Sequence, residues 1–339
     1  MFLSVVIPAR DAWPTLERLL VSLAASGRQP DEIVIVDDGS VESLESLAMR
    51  FGARFIRNEA AMGPAAARNR GVAASRGEII IFFDADVSVH TDTISRLAAQ
   101  FESRPDVDGV IGSYDDNPAD PGFLSRYRNL LHAWVHQNAS RNASTFWGAC
   151  GAIRREAFLS VGGFSNTYAR PSIEDIELGC RLIKSGRKLI LDRKARICHH
   201  KAWSFWKMLK TDIFDRAVPW TRLILSERHL PNDLNLRSGQ RLNAALALMT
   251  LLMAPIALVH WNYAVAWLAV LGAYLTRNWR FYSYLASRQG PVFTLRAIPV
   301  HWLYFIYSCA GFAIGMVSHL LPGLGHQRGS KAGEQRAGG

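Results

Sequence analysis

The chain has 339 residues, of which 49% are hydrophobic and 20% are charged, enough for one large domain or two small ones. Its net charge of +10 is accompanied by no nucleic-acid-binding motif, so we expect no nucleic acid partner. None of the four cysteines is spaced C-x-x-C, a pattern typical of free thiols in a reducing compartment. The N-terminus lacks the basic segment of a signal peptide, so we expect the first domain to stay in the cytoplasm.

The first part of the chain alternates short β-branched runs with segments of helical spacing. Strands are predicted at 3–7, 33–36, 54–57 and 79–83, and helices at 14–26, 41–51 and 64–75. This alternation predicts an α/β fold with a mostly parallel sheet and helices on both faces. Ligands of such sheets bind at the carboxyl ends of the strands. The middle, 105–173, is less regular, and further helices are predicted at 123–141 and 174–186.

The last third of the chain has a different composition. Residues 242–276 and 297–327 contain no Asp, Glu, Lys or Arg, and each segment exceeds the ~20 residues that cross a bilayer. Residues 184–241 contain 14 basic and 5 acidic residues, and basic flanks favour anionic lipids and mark the cytoplasmic side of a membrane segment. We therefore predict a multi-pass protein of the cell membrane that contacts membrane lipids, with its N-terminal domain on the cytoplasmic face.

The difference between these two parts of the chain predicts its division into domains. An alternative for the membrane region replaces its first two spans with one long tilted helix, kinked at Pro255. The predicted parts are a cytoplasmic domain at 1–230, a basic amphipathic membrane-surface segment at 203–240, a transmembrane region at 242–321 with about three helices (242–259, 261–276 and 298–321), and a disordered tail at 322–339.

Two acidic clusters follow predicted strands. Asp84 and Asp86 flank one small residue directly after the strand at 79–83. Mg²⁺ and Mn²⁺ prefer oxygen ligands, and a metal held there could bridge a diphosphate, although a polar turn is the alternative. Asp38, which follows the strand at 33–36, is placed to accept hydrogen bonds from a base or a ribose. The alternative there is a turn in which Ser40 caps a helix.

Five further residues are candidates for binding or chemistry. Arg68, near the N-terminus of a predicted helix, could reach a phosphate, or it could be a plain surface arginine. Asp175 follows Glu174 at the start of the helix at 174–186, where the helix dipole favours the ionised carboxylate. An ionised carboxylate in a cleft can take a proton from a hydroxyl, but helix-end charge is the alternative. His199 could ligate a Mn²⁺-like ion, although a single histidine is usually structural, and Trp147 is placed to line a substrate pocket.

Taken in order, these segments resemble the family 2 glycosyltransferases. The resemblance covers about residues 1–205, and it rests on the order and spacing of the motifs, since each is weak alone. The segments that carry it are Ser4-Val5-Val6-Ile7-Pro8, Asp37-Asp38-Gly39-Ser40, Gly63-Pro64 to Arg68-Asn69-Arg70-Gly71, Phe83-Asp84-Ala85-Asp86, Gly151-Ala152-Ile153-Arg154-Arg155, Gly162-Gly163-Phe164, and Glu174-Asp175-Ile176-Glu177-Leu178 with Arg181.

The resemblance implies a GT-A-like fold that binds a nucleotide-diphospho-sugar, and inversion at the anomeric carbon. Pro8, Ala9 and Asp38 match positions that line the nucleobase. Arg10 stands where relatives often have Tyr, which alters the contacts expected around the base. We include Arg10 among the nucleotide-sugar-binding residues, together with Arg68, Asp84, Asp86, Trp147 and Glu174.

Further roles also follow from the resemblance alone. Asp84 and Asp86 match the metal and diphosphate motif, with Asp86 the more direct ligand of Mn²⁺ or Mg²⁺. Asp175 matches the catalytic base. His199 matches a histidine that some relatives use as a further metal or diphosphate contact, and the neighbouring His200 leaves open which of the two does so.

The function expected from these observations is sugar transfer from a nucleotide-diphospho-sugar, with uridine as the expected base, to the hydroxyl of a lipid or a lipid-linked glycan. The Gln-x-x-Arg-Trp motif of processive relatives is absent, so we expect a non-processive enzyme. A polyprenyl-phosphate sugar synthase is one alternative, but a phosphate acceptor is already ionised and would not need Asp175. A non-catalytic nucleotide-sugar-binding membrane scaffold is another, against which the intact Asp86 and Asp175 argue.

Overall fold

The computed structural model describes residues 1–168, 170–227 and 238–321. The predicted tail at 322–339 therefore lies outside the described residues, as does the part of the predicted membrane-surface segment at 228–237.

The N-terminal domain is built on an eight-stranded sheet in the order β3-β2-β1-β4-β7-β6-β8-β5. One half, β3-β2-β1-β4, is parallel throughout. In the other half β6 and β8 are parallel, whereas β7 is antiparallel to both neighbours and β5 is antiparallel to β8. The strands are β1 Leu3–Ala9, β2 Glu32–Asp37, β3 Arg54–Arg57, β4 Ile79–Phe83, β5 Val87–Val89, β6 Gly109–Tyr114, β7 Cys150–Arg154 and β8 Leu189–His199.

Helices cover both faces of this sheet, as the sequence predicts, and the α/β prediction is confirmed. Successive side chains of a strand point to opposite faces. Val5 and Ile7 of β1 therefore join one hydrophobic cluster with the helices α1 (Trp13–Ala24), α2 (Glu45–Arg50) and α4 (Thr93–Ser103). Val6 joins the other cluster, with α3, α6 and α7. The helices of the domain are α1 Trp13–Ala24, α2 Glu45–Arg50, α3 Pro64–Ala74, α4 Thr93–Ser103, α5 Phe123–Asn138, α6 Arg155–Ser160 and α7 Glu174–Lys184.

The remainder of the described chain is helical. Two of its helices, α10 and α13, are long and apolar enough to cross a membrane by length and composition, and α11 covers the second of the three predicted spans. The elements are α8 Phe205–Lys210, a π-helical segment Thr211–Ala217, α9 Val218–Glu227, α10 Ser238–Ala257, α11 Trp261–Arg277, α12 Trp279–Gln289 and α13 Pro291–Leu320.

Two glycines one turn apart bring α13 against the π-helical segment and α9. A Cβ atom added to Gly311 would lie 2.7 Å from the Cβ of Ala217, and one added to Gly315 would lie 2.6 Å from the Cβ of Thr221. Side chains larger than hydrogen do not fit at such separations, and small residues spaced four apart allow this close approach between helices. The C-terminal helix is therefore packed directly onto the chain that leads out of the N-terminal domain.

A buried ion pair ties the same region to the domain. Arg128 of α5 donates two hydrogen bonds to the carboxylate of Asp212 in the π-helical segment. The hydroxyl of Tyr307 in α13 donates to the same carboxylate at 2.8 Å. Because one buried carboxylate joins α5, the π-helical segment and α13, these three elements hold a fixed position relative to one another.

Candidate active site

The carboxyl ends of the central strands and the start of α7 enclose a cleft of about 400 Å³. Asp38 follows β2, and Asp84 and Asp86 follow β4. These two strands lie on either side of β1 and run parallel to it, so they deliver their acidic residues to one edge of the sheet. All eleven residues singled out from the sequence line this one cleft: Pro8, Ala9, Arg10, Asp38, Arg68, Asp84, Asp86, Trp147, Glu174, Asp175 and His199. Their individual roles stay predictions.

Arg68 lies at the centre of the acidic residues. Its terminal nitrogens donate to Asp84 at 2.6 Å and to Glu174 at 3.0 Å, and its side chain is 5% exposed. A Cβ atom added to Gly148 would lie 3.0 Å from the guanidinium carbon of Arg68, so the group is enclosed on that side as well. In this structure Arg68 joins the strand-end carboxylates to α7, and both terminal nitrogens are occupied by carboxylates.

Asp175 stands at the first turn of α7 and lines the same cleft as the strand-end acids. Its Oδ2 accepts a hydrogen bond from the backbone N–H of Gly148 at 3.1 Å, and its Oδ1 accepts from the N–H of Ile176 at 2.8 Å. Burial and the nearby charge of Glu174 raise the pKa of Asp175 to about 6, even though the Gly148 hydrogen bond and Arg68 act in the opposite direction. A carboxyl with that pKa is ionised near neutral pH and basic enough to accept a proton.

Strand pairing brings Asp86 and His199 together. Val87 of β5 pairs with His199 of β8, and the His199 Nε2 lies 3.3 Å from the Oδ2 of Asp86. Burial acts to raise the pKa of Asp86, but the hydrogen bond and charge of His199, with the charge of Lys201, lower it to about 2. Asp86 is therefore an ionised carboxylate at neutral pH.

The two neighbouring histidines face different surroundings. His199 lines the cleft, whereas the Nε2 of His200 contacts the Ser88 hydroxyl at 2.9 Å. Successive strand-end residues point to opposite sides, which explains why only one imidazole enters the cleft. The structure thus favours His199 over His200 as the cleft contact.

Asp38 organises the loop before α3. One oxygen accepts from the side-chain amide of Asn58 at 2.7 Å and the backbone N–H of Met62 at 2.9 Å, and the other accepts from the N–H of Gly63 at 2.8 Å. Gly63 has a φ of 93°, a conformation that glycine adopts without strain. Asp38 therefore shapes the wall of the cleft as well as lining it, and one acceptor site remains on its second oxygen.

The structure adds residues that the sequence analysis did not single out. The Tyr114 ring is tilted against Trp147 with ring centroids 4.8 Å apart, and its centroid lies 5.4 Å from that of His199, so these aromatic rings line the cleft together. Lys201 and Arg216 add two cations to the cleft. Lys201 lies two residues after His199, so its position on the same strand end could have been inferred from the sequence. Arg216 reaches the cleft only because the segment Thr211–Ala217 is π-helical.

The donor set of the cleft suits a divalent cation in part. The carboxylate of Asp86 and the imidazole of His199 lie side by side, and Asp84 has a side chain that is 33% exposed. Within the described residues, no group of three His, Cys, Asp or Glu side chains is close enough to hold a metal by itself. Oxygen-rich sites that bind Mg²⁺ or Mn²⁺ commonly take their other ligands from water and substrate phosphates. The residues present fit such a shared site.

The N-terminal domain is similar to known glycosyltransferases. Residues 4–162 match the family model described as glycosyl transferase family 2, and residues 128–201 match one described as N-terminal domain of galactosyltransferase. The pre-mycofactocin glycosyltransferase of Mycobacterium tuberculosis is 28% identical over 58% of this chain and 42% of its own length. The N-acetylglucosaminyl-diphospho-decaprenol L-rhamnosyltransferase of the same organism is 29% identical over 60% of this chain and 77% of its own length.

The chain spans less than two thirds of several relatives, and its likeness to solved structures is a likeness of fold. The chain spans only 24% of a matching Sinorhizobium fredii protein and 62% of a Haemophilus influenzae one. A mannosyltransferase from Pyrobaculum calidifontis, solved with GDP-Man and Mn²⁺, superposes with a TM-score of 0.57 at 18% identity, covering 94% of this chain and 87% of its own. At that identity the likeness supports the fold, and it agrees with the GT-A-like α/β class.

Proposed function

We propose that this chain, whose residues 4–162 match the family model described as glycosyl transferase family 2, transfers a sugar from a nucleotide-diphospho-sugar to an acceptor hydroxyl with inversion at the anomeric carbon. One observation carries the proposal: the strand-end acids Asp84 and Asp86 and the carboxylate of Asp175 line one cleft. A donor diphosphate and an acceptor hydroxyl need these two kinds of group on either side of the reacting carbon.

The proposed reaction is a single displacement. The carboxylate of Asp175 takes the proton of the acceptor hydroxyl while the acceptor oxygen forms its bond to the anomeric carbon. The bond from that carbon to the diphosphate breaks at the same time, and the nucleoside diphosphate leaves with the electron pair. The N–H groups of Gly148 and Ile176 hold the carboxylate in place, so that its remaining lone pairs face the cleft.

The leaving diphosphate is expected at the strand-end side of the cleft. Asp86, His199 and Asp84 would hold a divalent cation there, and that cation would neutralise charge on the leaving diphosphate. Asp38, Pro8, Ala9 and Arg10 would surround the nucleoside, for which uridine is our proposal. Trp147, Arg68 and Glu174 would border the sugar, with Arg68 keeping Asp84 and Glu174 in fixed positions.

The direct test is donor binding by the purified chain in detergent, measured with a panel of UDP-, GDP- and dTDP-sugars, with and without Mn²⁺. Tight, Mn²⁺-dependent binding of one donor, followed by slow hydrolysis of that donor, is the expected result. A folded protein that binds no donor under either condition would contradict the proposal and favour the scaffold alternative.

The pH dependence of transfer should report Asp175. Because the base must be ionised and burial raises its pKa to about 6, kcat/KM is expected to fall as pH drops through 6, approaching tenfold per pH unit below it. Activity should be on a plateau above about pH 7. A profile measured from pH 4.5 to 8.5, with donor binding measured in parallel, checks this. An acid limb centred near pH 4, the value of an ordinary carboxyl, would contradict it.

Loss of the Asp86 carboxylate should weaken metal-dependent donor binding. Asp86→Asn keeps the size of the side chain and removes its charge, so we expect donor affinity in Mn²⁺ to fall by about 10- to 100-fold while affinity without metal changes little. Isothermal titration with nucleoside diphosphate measures both. Asp92→Asn, which removes an exposed carboxylate paired with Arg96, is the matched control, and equal effects of the two substitutions would refute the assignment.

We also propose that the C-terminal helices anchor the enzyme in the cell membrane with the catalytic domain on the cytoplasmic face. The support is the length and apolar composition of α10 and α13 and the basic excess that precedes them. A lipid or lipid-linked glycan would then be the acceptor, because the cleft and the membrane helices share the π-helical segment as a neighbour.

A further inference from the structure

We propose that the acceptor is held as an anionic lipid, with its phosphate or diphosphate group beside Arg216 and its chain in the groove between α9 and α13. This inference rests on the proposed function, because it names the class of acceptor for the same cleft. It concerns a second, apolar site that continues from the catalytic one.

The first support is a series of three cavities that share lining residues. Arg216 lines both the 400 Å³ catalytic cleft and a second cavity of about 140 Å³ between α9 and α13. Trp220 and Ile224 line that second cavity and also a third, of about 200 Å³, on the neighbouring face of α9. The shared residues therefore place the three cavities in a series from the catalytic cleft, past the guanidinium of Arg216, along α9.

The second support is the change of character along this path. At one end the lining consists of the Arg128–Asp212 pair and Arg216, and the rest is mostly apolar or aromatic, including Trp220, Ile224 and Phe312, with two hydroxyl side chains. The charge of Arg128 is matched by Asp212 in two hydrogen bonds. The guanidinium of Arg216 lies 3.6 Å from the same carboxylate and is 37% exposed, so one shared carboxylate faces two cations. The net positive charge left at the head of an apolar groove complements an anionic lipid.

The third support comes from the way the groove is built. The π-helical segment is held by the buried Asp212 cluster, and π-helical turns inside α-helices commonly occur at functional sites. Gly311 and Gly315 draw α13 up to Ala217 and Thr221, which forms the floor of the groove. The buried indole N–H of Trp220 has no hydrogen-bond partner within the described part of the chain. A buried donor without a partner is costly unless a ligand supplies an acceptor.

The test uses a farnesyl diphosphate analogue that carries a photoreactive diazirine at the end of its chain, with the full-length chain in detergent micelles. EDTA is present so that a metal-dependent diphosphate site cannot bind the probe, and no sugar donor is added. Labelled peptides are mapped by mass spectrometry. We expect labelling on α9 and on the part of α13 around Phe312, and we expect farnesyl diphosphate to compete about tenfold better than farnesol or inorganic diphosphate.

Three variants sharpen the test. Arg216→Gln should weaken competition by farnesyl diphosphate about tenfold, because it removes a charge-assisted contact. Gly311→Leu should abolish labelling, since its side chain would separate α13 from Ala217. Gly272→Leu is the matched control, because a Cβ at Gly272 has no neighbour within 4 Å, and it should label like the wild type. If Gly311→Leu does not fold, Ile224→Trp, which fills the groove without separating the helices, replaces it.

The outcomes that overturn the inference are specific. Equal competition by inorganic diphosphate would mean a free-anion site, and equal competition by farnesol would mean apolar partition alone. Labelling spread evenly over α10 and α11 would also refute a built groove. Because no donor or transfer is involved, failure of the proposed function would show separately, as absent donor binding with labelling intact.

Discussion

Asp175→Asn is expected to lower the turnover number of sugar transfer by about 10²- to 10⁴-fold, the range that removal of a general base produces. The substitution keeps the size of the side chain but leaves no group able to take the acceptor proton. Donor affinity should stay within about twofold of the wild type, because in the proposed arrangement Asp175 lies on the acceptor side. Single-turnover transfer and nucleotide titration, measured on the same preparation, separate the two effects.

A matched control lies two residues further along α7, on a different side of the helix. Glu177 pairs with Arg181 outside the cleft, so Glu177→Gln removes a carboxylate from the same helix without touching the site, and its turnover should stay close to that of the wild type. The Asn variant also leaves the backbone N–H of Gly148 or Ile176 without an acceptor, so its folded state is checked by circular dichroism before turnover is compared. Full turnover in a folded Asp175→Asn variant would disprove the base assignment.

Removal of the Arg68 charge should have the largest effect on stability. Arg68→Met leaves the carboxylates of Asp84 and Glu174 without their shared partner, and breaking a buried ion pair by deleting one member costs about 3–5 kcal/mol. For a domain of this size that corresponds to a fall in Tm of roughly 6–20 °C. Circular dichroism or differential scanning fluorimetry measures it.

The pH dependence of that effect has a definite sign. Arg68 lowers the pKa of Asp175, so its loss should raise that pKa above about 6. A folded-state pKa above the unfolded one destabilises at high pH, so the Tm deficit should be greater at pH 8 than at pH 5. Arg70→Met, on the same helix but exposed, is the control. A deficit in Arg68→Met no larger than in this control would refute the central position of Arg68.

The first half of the sheet could be predicted from the sequence because its signals are local. The buried strand β4 is five apolar residues followed by acids, and α3 begins with proline, so both elements coincide closely with their predicted bounds. The same motifs led to the acids at the strand ends. Parallel strands deliver such residues to one edge, which is why Asp38, Asp84 and Asp86 occur in one cleft.

The other half depends on long-range pairing. β8 contains Asp192, Arg193 and Lys194, which interrupt any apolar pattern, and β5 has only three residues. These segments become strands because of their neighbours in the sheet rather than their own propensity. Arg216 was missed for a similar reason: its approach to the cleft depends on the buried Asp212 cluster, and no sequence spacing reveals a π-helical segment.

Asp86 and His199 come together only when β5 pairs with β8. Asp86 and His199 are far apart along the chain, and contacts of high sequence separation are among the slower ones to form. A cation bound by both residues would stabilise only the conformation in which the sheet edge is complete, by an amount that grows with its concentration. Loading with metal and nucleotide would then slow local opening of this edge, and hydrogen exchange at the amides of β5 and β8 would record when the site has been assembled.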